Sequence, residues 1–172
     1  AWADTVKGTE THLWAQINHP GRQAMEPINS ELLAPSAVPL KVGGRKNATK
    51  KIPKALLDKE IQEIIEAFGN TAFILKKAGF TGVQIHGAHG YLVSQFLSPY
   101  TNIREDKWGG TIENRARFVI EVYRNIRKKV GDQFPIGIKL THISRKNSRI
   151  GLRVVGVIKQ TCTHMPHFRA HF

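Results

Sequence analysis

Cysteine is almost missing from this chain: Cys162 is the single one in 172 residues. An internal disulfide and a thiolate-rich metal centre are both excluded, and a reducing, cytoplasmic setting is the expectation. Long apolar runs are missing too. None approaches the roughly 18 residues of a membrane-spanning helix, and no signal-peptide pattern opens the chain. Neither GxGxxG nor a P-loop occurs, which argues against the usual glycine-rich nucleotide sites. Acidic residues are absent after Leu140: all 13 precede it, while six of the 26 Lys and Arg follow it. A good part of the formal net charge of +13 therefore sits in residues 141–172, a basic tail with no helical stripe. A basic nucleic-acid-binding polypeptide is one reading of that charge. Against it, the basic stretches lack interleaved aromatics and any recognised binding module.

What is present is an alternation of strand-like and helix-like segments. Leu13–Ile17 reads as a short buried strand. Residues 20–55 collect Pro20, Pro27, Pro35, Pro39 and Pro53 and read as a long loop. Asp58 has the place of an N-cap, and Leu57, Ile61, Ile64, Ile65, Phe68, Ala72 and Leu75 form one apolar helical stripe ended by Gly79. Gly82–His86 is the next strand, followed by a glycine-rich loop and a short apolar segment, Tyr91–Leu97. Thr111 caps a second long helix with its buried face at Ile112, Ala116, Val119, Ile120, Tyr123 and Val130. Gly131 stops it, and Pro135–Leu140 is a third strand. Strands separated by amphipathic helices predict parallel pairing through right-handed crossovers.

Splitting each strand into its two faces gives a recurring pattern. Leu13, Ala15 and Ile17 oppose Trp14 and Gln16; Val83 and Ile85 oppose Gln84 and His86; Ile136, Ile138 and Leu140 oppose Gly137 and Lys139. A parallel strand buried on both faces is ordinarily apolar throughout. Each of these three instead ends in a polar group on the face opposite its aliphatic residues. Gln16, His86 and Lys139 are therefore expected to converge inside a barrel mouth. The ordinary alternative is three separate buried polar groups, each satisfied by its own neighbours.

The most informative stretch runs from Ile85 to Leu92, which sets His86, His89 and Tyr91 within six residues where a strand gives way to a loop. Active sites of α/β proteins are built at such places. The His86–His89 spacing could suit a metal, but no carboxylate or thiolate lies close by in sequence to complete a ligand set. Two imidazole donors aimed at one substrate oxygen fit better. A phenol ordinarily keeps its proton at neutral pH, so Tyr91 is a candidate proton donor; a loop aromatic packed over the barrel end is the plainer reading. The Gln16 amide can both donate and accept, which suits the pyrimidine edge of a flavin or a nucleobase. Lys139 would place a cation at the same mouth, unless it is a surface lysine at a strand end.

The segments Gln16–Arg22, Ala34–Ser36, Ala78–Phe80, Ile85–Leu92, Gln95–Pro99, Asn102–Gly110 and Glu113–Phe118, in this order, resemble the old yellow enzyme family of flavin-dependent ene-reductases. Trp108 stands where tyrosine is usual. The resemblance covers about residues 10–140 and implies a (β/α)8 barrel with FMN at its C-terminal mouth, reduced by NADH or NADPH. It further implies reduction of the activated C=C bond of small α,β-unsaturated carbonyl compounds. By position, Gln16 and Lys139 match cofactor-binding residues, His86 and His89 the pair that holds the substrate oxygen, and Tyr91 the proton donor. A whole barrel takes roughly 250 residues. Residues 1–140 are thus expected to be part of one, about strands 3 to 5 with their helices, and 141–172 an irregular tail outside the family pattern. A remnant that no longer retains FMN is the alternative within the same family.

Overall fold

The computed structural model describes residues 2–25, 31–40 and 51–140. Among these described residues, five strands and three helices follow one another: β1 (Trp14–Ile17), β2 (Leu33–Ala34), β3 (Lys54–Ala55), α1 (Asp58–Lys77), β4 (Gly82–Gly87), α2 (Leu92–Leu97), α3 (Ile112–Val130) and β5 (Ile136–Leu140). Short 3-10 turns occupy Trp2–Val6 and Gly21–Gln23. The main sheet is parallel with order β1-β4-β5. The α1 crossover joins β1 to β4, and α2 with α3 joins β4 to β5, as the alternation predicts. The expected tail at 141–172 and residues 41–50 of the long proline-containing loop lie outside the described residues.

The aliphatic sides of the strands, carrying Ile17, Val83, Ile85 and Ile136, share one core with Ile61, Ile65 and Phe68 of α1 and Phe118, Val122 and Ile126 of α3. Phe118 is its aromatic centre, stacked on Phe96 at 4.2 Å and edge-on to Phe68 at 6.4 Å. Burying one such side chain stabilises the fold by about 1.5–3 kcal/mol. With the aliphatic face committed to the helices, period-2 alternation turns the other face inward.

Trp14 occupies the lower layer of that inner face. A Cβ at Gly82 would lie 2.4 Å from its indole ring, and one at Gly137 2.9 Å. Glycine on β4 and, one strand further, on β5 lets one large ring fill the space below the polar layer.

Two local expectations need correction. Asp58 is the first helical residue, not the cap: Leu57 holds the cap position with extended backbone, its N–H taken by the Glu60 carboxylate at 2.8 Å. The apolar Leu57 offers no capping oxygen, so the signal at Asp58 was misplaced by one residue. The described residues of 20–55 are also less irregular than their prolines suggest. Within them Leu33–Ala34 pairs in parallel with Lys54–Ala55, and Leu32, Ala34 and Leu56 are buried.

Helix ends follow the expected chemistry elsewhere. The Thr111 hydroxyl accepts the Asn114 N–H at 3.3 Å. After α3, Gly131 takes a positive φ of 76°, and the Arg127 guanidinium bonds the carbonyls of Gly131, Asp132 and Phe134, which sets the entry into β5.

Candidate active site

The strand register decides which polar groups meet. Gln16 pairs with Gln84, Gln84 with Gly137, and His86 with Lys139. In a parallel ladder, paired residues point to the same face, so Gln16, Gln84, His86 and Lys139 share the inner one. The convergence expected from alternation is present. Gln84 was not singled out in the sequence, although alternation put it on this face: the Gln16 Nε2 donates to Gln84 Oε1 at 2.6 Å. That bond uses one donor and one acceptor, leaving the Gln16 oxygen and the Gln84 N–H groups for a ligand.

Beyond β4 the chain reverses at once. Tyr91 N–H donates to the Ala88 carbonyl at 3.2 Å, and the two residues between have φ of 58° (His89) and 72° (Gly90). Positive φ at both central positions is the mark of a type I′ turn. Gly90 enters it without strain, whereas His89 does so at a cost of about 1–3 kcal/mol. A non-glycine residue held there points to function. The turn carries His89 back toward His86, with the His89 Nδ1 3.2 Å from the His86 Nε2. The ring of Tyr91 lies edge-on to His86 at 5.0 Å and to His89 at 6.4 Å. All three candidate side chains are thus in one cluster.

The hydrogen bonds assign a tautomer. His86 Nδ1 accepts the Ala88 N–H at 3.3 Å, so the proton of the neutral ring sits on Nε2, where it faces the cluster. Burial is the main force holding the His86 pKa below its ordinary value, and the nearby His89 and the Lys139 charge push the same way. His86 is a neutral N–H donor at pH 7.

The loop after β1 is fastened to this turn. Leu92 N–H donates to the His19 carbonyl at 3.0 Å. Gln23 Nε2 donates to the His89 carbonyl at 2.9 Å, and the buried Gln95 amide to the Gly90 carbonyl at 2.7 Å. The half-buried His19 accepts the Gly21 N–H on its Nδ1 at 3.1 Å, and burial depresses its pKa. Among the described residues no group of three or more His, Cys, Asp or Glu could hold a metal ion, and no helix is long and apolar enough to cross a membrane.

A central parallel strand with helices on one face and polar strand ends on the other defines a portion of an α/β barrel with its site at the C-terminal mouth. The sequence pattern of the NADH:flavin oxidoreductase / NADH oxidase family matches residues 1–161, a span reaching past Leu140. The chain belongs to this family. It is 44% identical over 141 residues to the NADH-dependent flavin oxidoreductase nadA of Aspergillus parasiticus, covering 82% of this chain and 32% of that protein. To the NADPH dehydrogenase of Clostridium acetobutylicum it is 42% identical over 136 residues, covering 79% and 38%. Among solved structures, morphinone reductase in complex with tetrahydroNAD superimposes with a TM-score of 0.69 at 35% identity, over 81% of this chain and 42% of that one. Old Yellow Enzyme from Pichia does so with a TM-score of 0.71 at 32% identity, over 80% and 37%. The chain therefore spans about a third of the length of these two curated relatives.

Proposed function

We propose that this chain carries the substrate-oxygen and proton-donor side of an FMN-dependent oxidoreductase that uses NADH or NADPH to reduce the activated C=C bond of small α,β-unsaturated carbonyl compounds in the cytoplasm. The observation that supports this most is the His86–His89–Tyr91 cluster standing on the same face as the Gln16–Gln84 pair and Lys139. FMN fits that face: two amides with an unused acceptor and unused donors match the alternating C=O and N–H groups of a pyrimidine edge. Gln16 and Lys139 are the cofactor residues in this reading, with Gln84 beside them. When bound and reduced, FMN supplies a hydride to the β-carbon of the substrate.

The protein's own groups do the rest. The His86 Nε2–H leaves the His89 Nδ1 and donates to the carbonyl oxygen of the substrate, with His89 as the second donor. Two such bonds stabilise the negative charge that grows on this oxygen, as in an oxyanion hole. Because His86 is held neutral, it donates a hydrogen bond without surrendering its proton. Tyr91 gives its phenolic proton to the α-carbon, completing the saturated product.

The test is direct. After incubation with FMN and desalting, the protein is assayed for retained flavin, for NAD(P)H-driven reduction of 2-cyclohexenone, and for binding of 4-nitrophenol, whose absorbance reports hydrogen bonding to its oxygen. Retained flavin with enone turnover supports the proposal. A colourless protein without phenol binding would instead favour the inactive-remnant reading.

A further inference from the structure

The turn that presents His89 is gripped by two glutamine side chains on successive carbonyls. Gln23, from the loop after β1, donates to the His89 carbonyl at 2.9 Å, and Gln95, from α2, donates to the Gly90 carbonyl at 2.7 Å. Gln95 is 1% exposed, and its amide is used on every side. Its Nε2 also reaches the Pro20 carbonyl at 3.4 Å, and its Oε1 accepts the Arg22 N–H at 3.4 Å. The loop is shaped around this amide: a Cβ at Gly21, whose φ is 59°, would lie 2.5 Å from Gln95 Oε1. The backbone of Gln95 is anchored separately, its N–H on the Tyr91 carbonyl at 2.8 Å and its carbonyl on the Thr101 hydroxyl at 2.7 Å.

We propose that Gln95 and Gln23 are positioning residues that hold His89 at its positive φ and so set the spacing of the two imidazoles that receive the substrate oxygen. The role builds on the proposed function but is readable without it. The carbonyl of a turn residue fixes the plane of the next peptide. Holding the carbonyls of both central residues therefore fixes the direction in which the His89 side chain leaves the backbone. Without those bonds, less offsets the cost of the left-handed conformation, and His89 relaxes away from His86. Both grips come from or pass through the β1 loop, so the side of the mouth carrying Gln16 sets the geometry of the side carrying the imidazoles.

The test uses the full chain with Gln95→Met, which keeps side-chain length without an amide, and Gln23→Leu, at a position that is only half-buried. Long-range 1H–15N spectra of the imidazoles, assigned with His86→Gln and His89→Gln, read tautomer and titration; 4-nitrophenol binding reads the pair as a unit. Both variants are expected to lose the wild-type His86 and His89 signature. The Kd for 4-nitrophenol is expected to rise about tenfold, the effect of one weakened hydrogen bond to the ligand. Thermal unfolding of Gln23→Leu should change little, which separates positioning from stability. Wild-type imidazole spectra and wild-type affinity in the variants would overturn the proposal, however stable they are. If Gln95→Met does not fold, Gln23→Leu decides alone. Failure of the unaltered protein to bind 4-nitrophenol would count against the proposed function, while the spectra still decide the role of the two glutamines.

Discussion

The Asp58 carboxylate accepts the Trp108 indole N–H at 2.6 Å, tying the first turn of α1 to the loop that leads into α3. Lys107 adds an ion pair to the same carboxylate at 2.8 Å and lies 5.3 Å from the centroid of the Trp108 ring. Trp108, 1% exposed, stands where the family resemblance expects tyrosine, and the indole N–H gives it a polar partner as well as a packed ring. Replacing it with alanine should cost about 3–5 kcal/mol through the cavity left behind, and Trp108→Phe distinctly less. Equilibrium unfolding in urea measures both; equal losses would mean that packing of the ring is not what matters.

Gly82→Ala should force the Trp14 indole out of its place across β4 and β5. The added methyl meets a rigid ring at 2.4 Å, and overpacking of this kind costs about 1–3 kcal/mol. A shifted tryptophan emission spectrum with a lowered unfolding midpoint is the expected result. An unchanged spectrum would show that the ring does not fill this layer.

Stability should fall as the pH drops below the ordinary histidine value of about 6.5. Burial depresses the pKa of His86 and of His19. As pH falls through the ordinary 6.5, the unfolded chain takes up protons that the folded one resists, so stability is full above that value and is lost on the acid side. A second loss comes at lower pH. Asp106 is held below the ordinary carboxylate range chiefly by its bond to Arg104, and that stability disappears as the folded carboxyl protonates. The double variant His19→Gln/His86→Gln should flatten the first window and leave the second. Persistence of the first window in that variant would assign it to other groups.

Tyr91→Phe should slow alkene reduction in the flavin-loaded protein by about 10²–10⁴-fold, the usual contribution of a positioned acid. Reduction of the flavin by NAD(P)H needs no proton from Tyr91 and should change little. Stopped-flow traces of the reductive and oxidative half-reactions separate the two. Equal slowing of both would remove Tyr91 from the role of proton donor.

The alternation of Gln16, His86 and Lys139 against their aliphatic neighbours was legible because a strand has a fixed period of two, and a one-residue slip would have buried every polar end against α1 and α3. The helices were legible for a similar reason, since Ile61, Ile65, Phe68 and Ala72 keep a helical spacing. What could not be read was whatever depends on contacts distant in sequence. The Gln16–Gln84 bond needs the register of two strands 68 residues apart. The grip of Gln23 needs the β1 loop to lie against the turn after β4. The parallel pairing of β2 with β3 was hidden because two-residue strands leave no periodicity to see. The one-residue error at Asp58 has another origin: the backbone at Leu57 was capped by the side chain of Glu60, from inside the helix.

The two sides of this site differ in how the chain must assemble them. His86, His89 and Tyr91 lie within six consecutive residues and meet through a single turn, a closure of the kind that takes tens of nanoseconds. Gln16 reaches Gln84 across 68 residues that include α1, and the entropy of closing so long a loop opposes the pairing before any contact rewards it. The turn around Tyr91 is therefore local and early, while the amide side, and the Gln23 grip on His89, are non-local and late. Hydrogen exchange during refolding should show the amides around Tyr91 protected before those of β1.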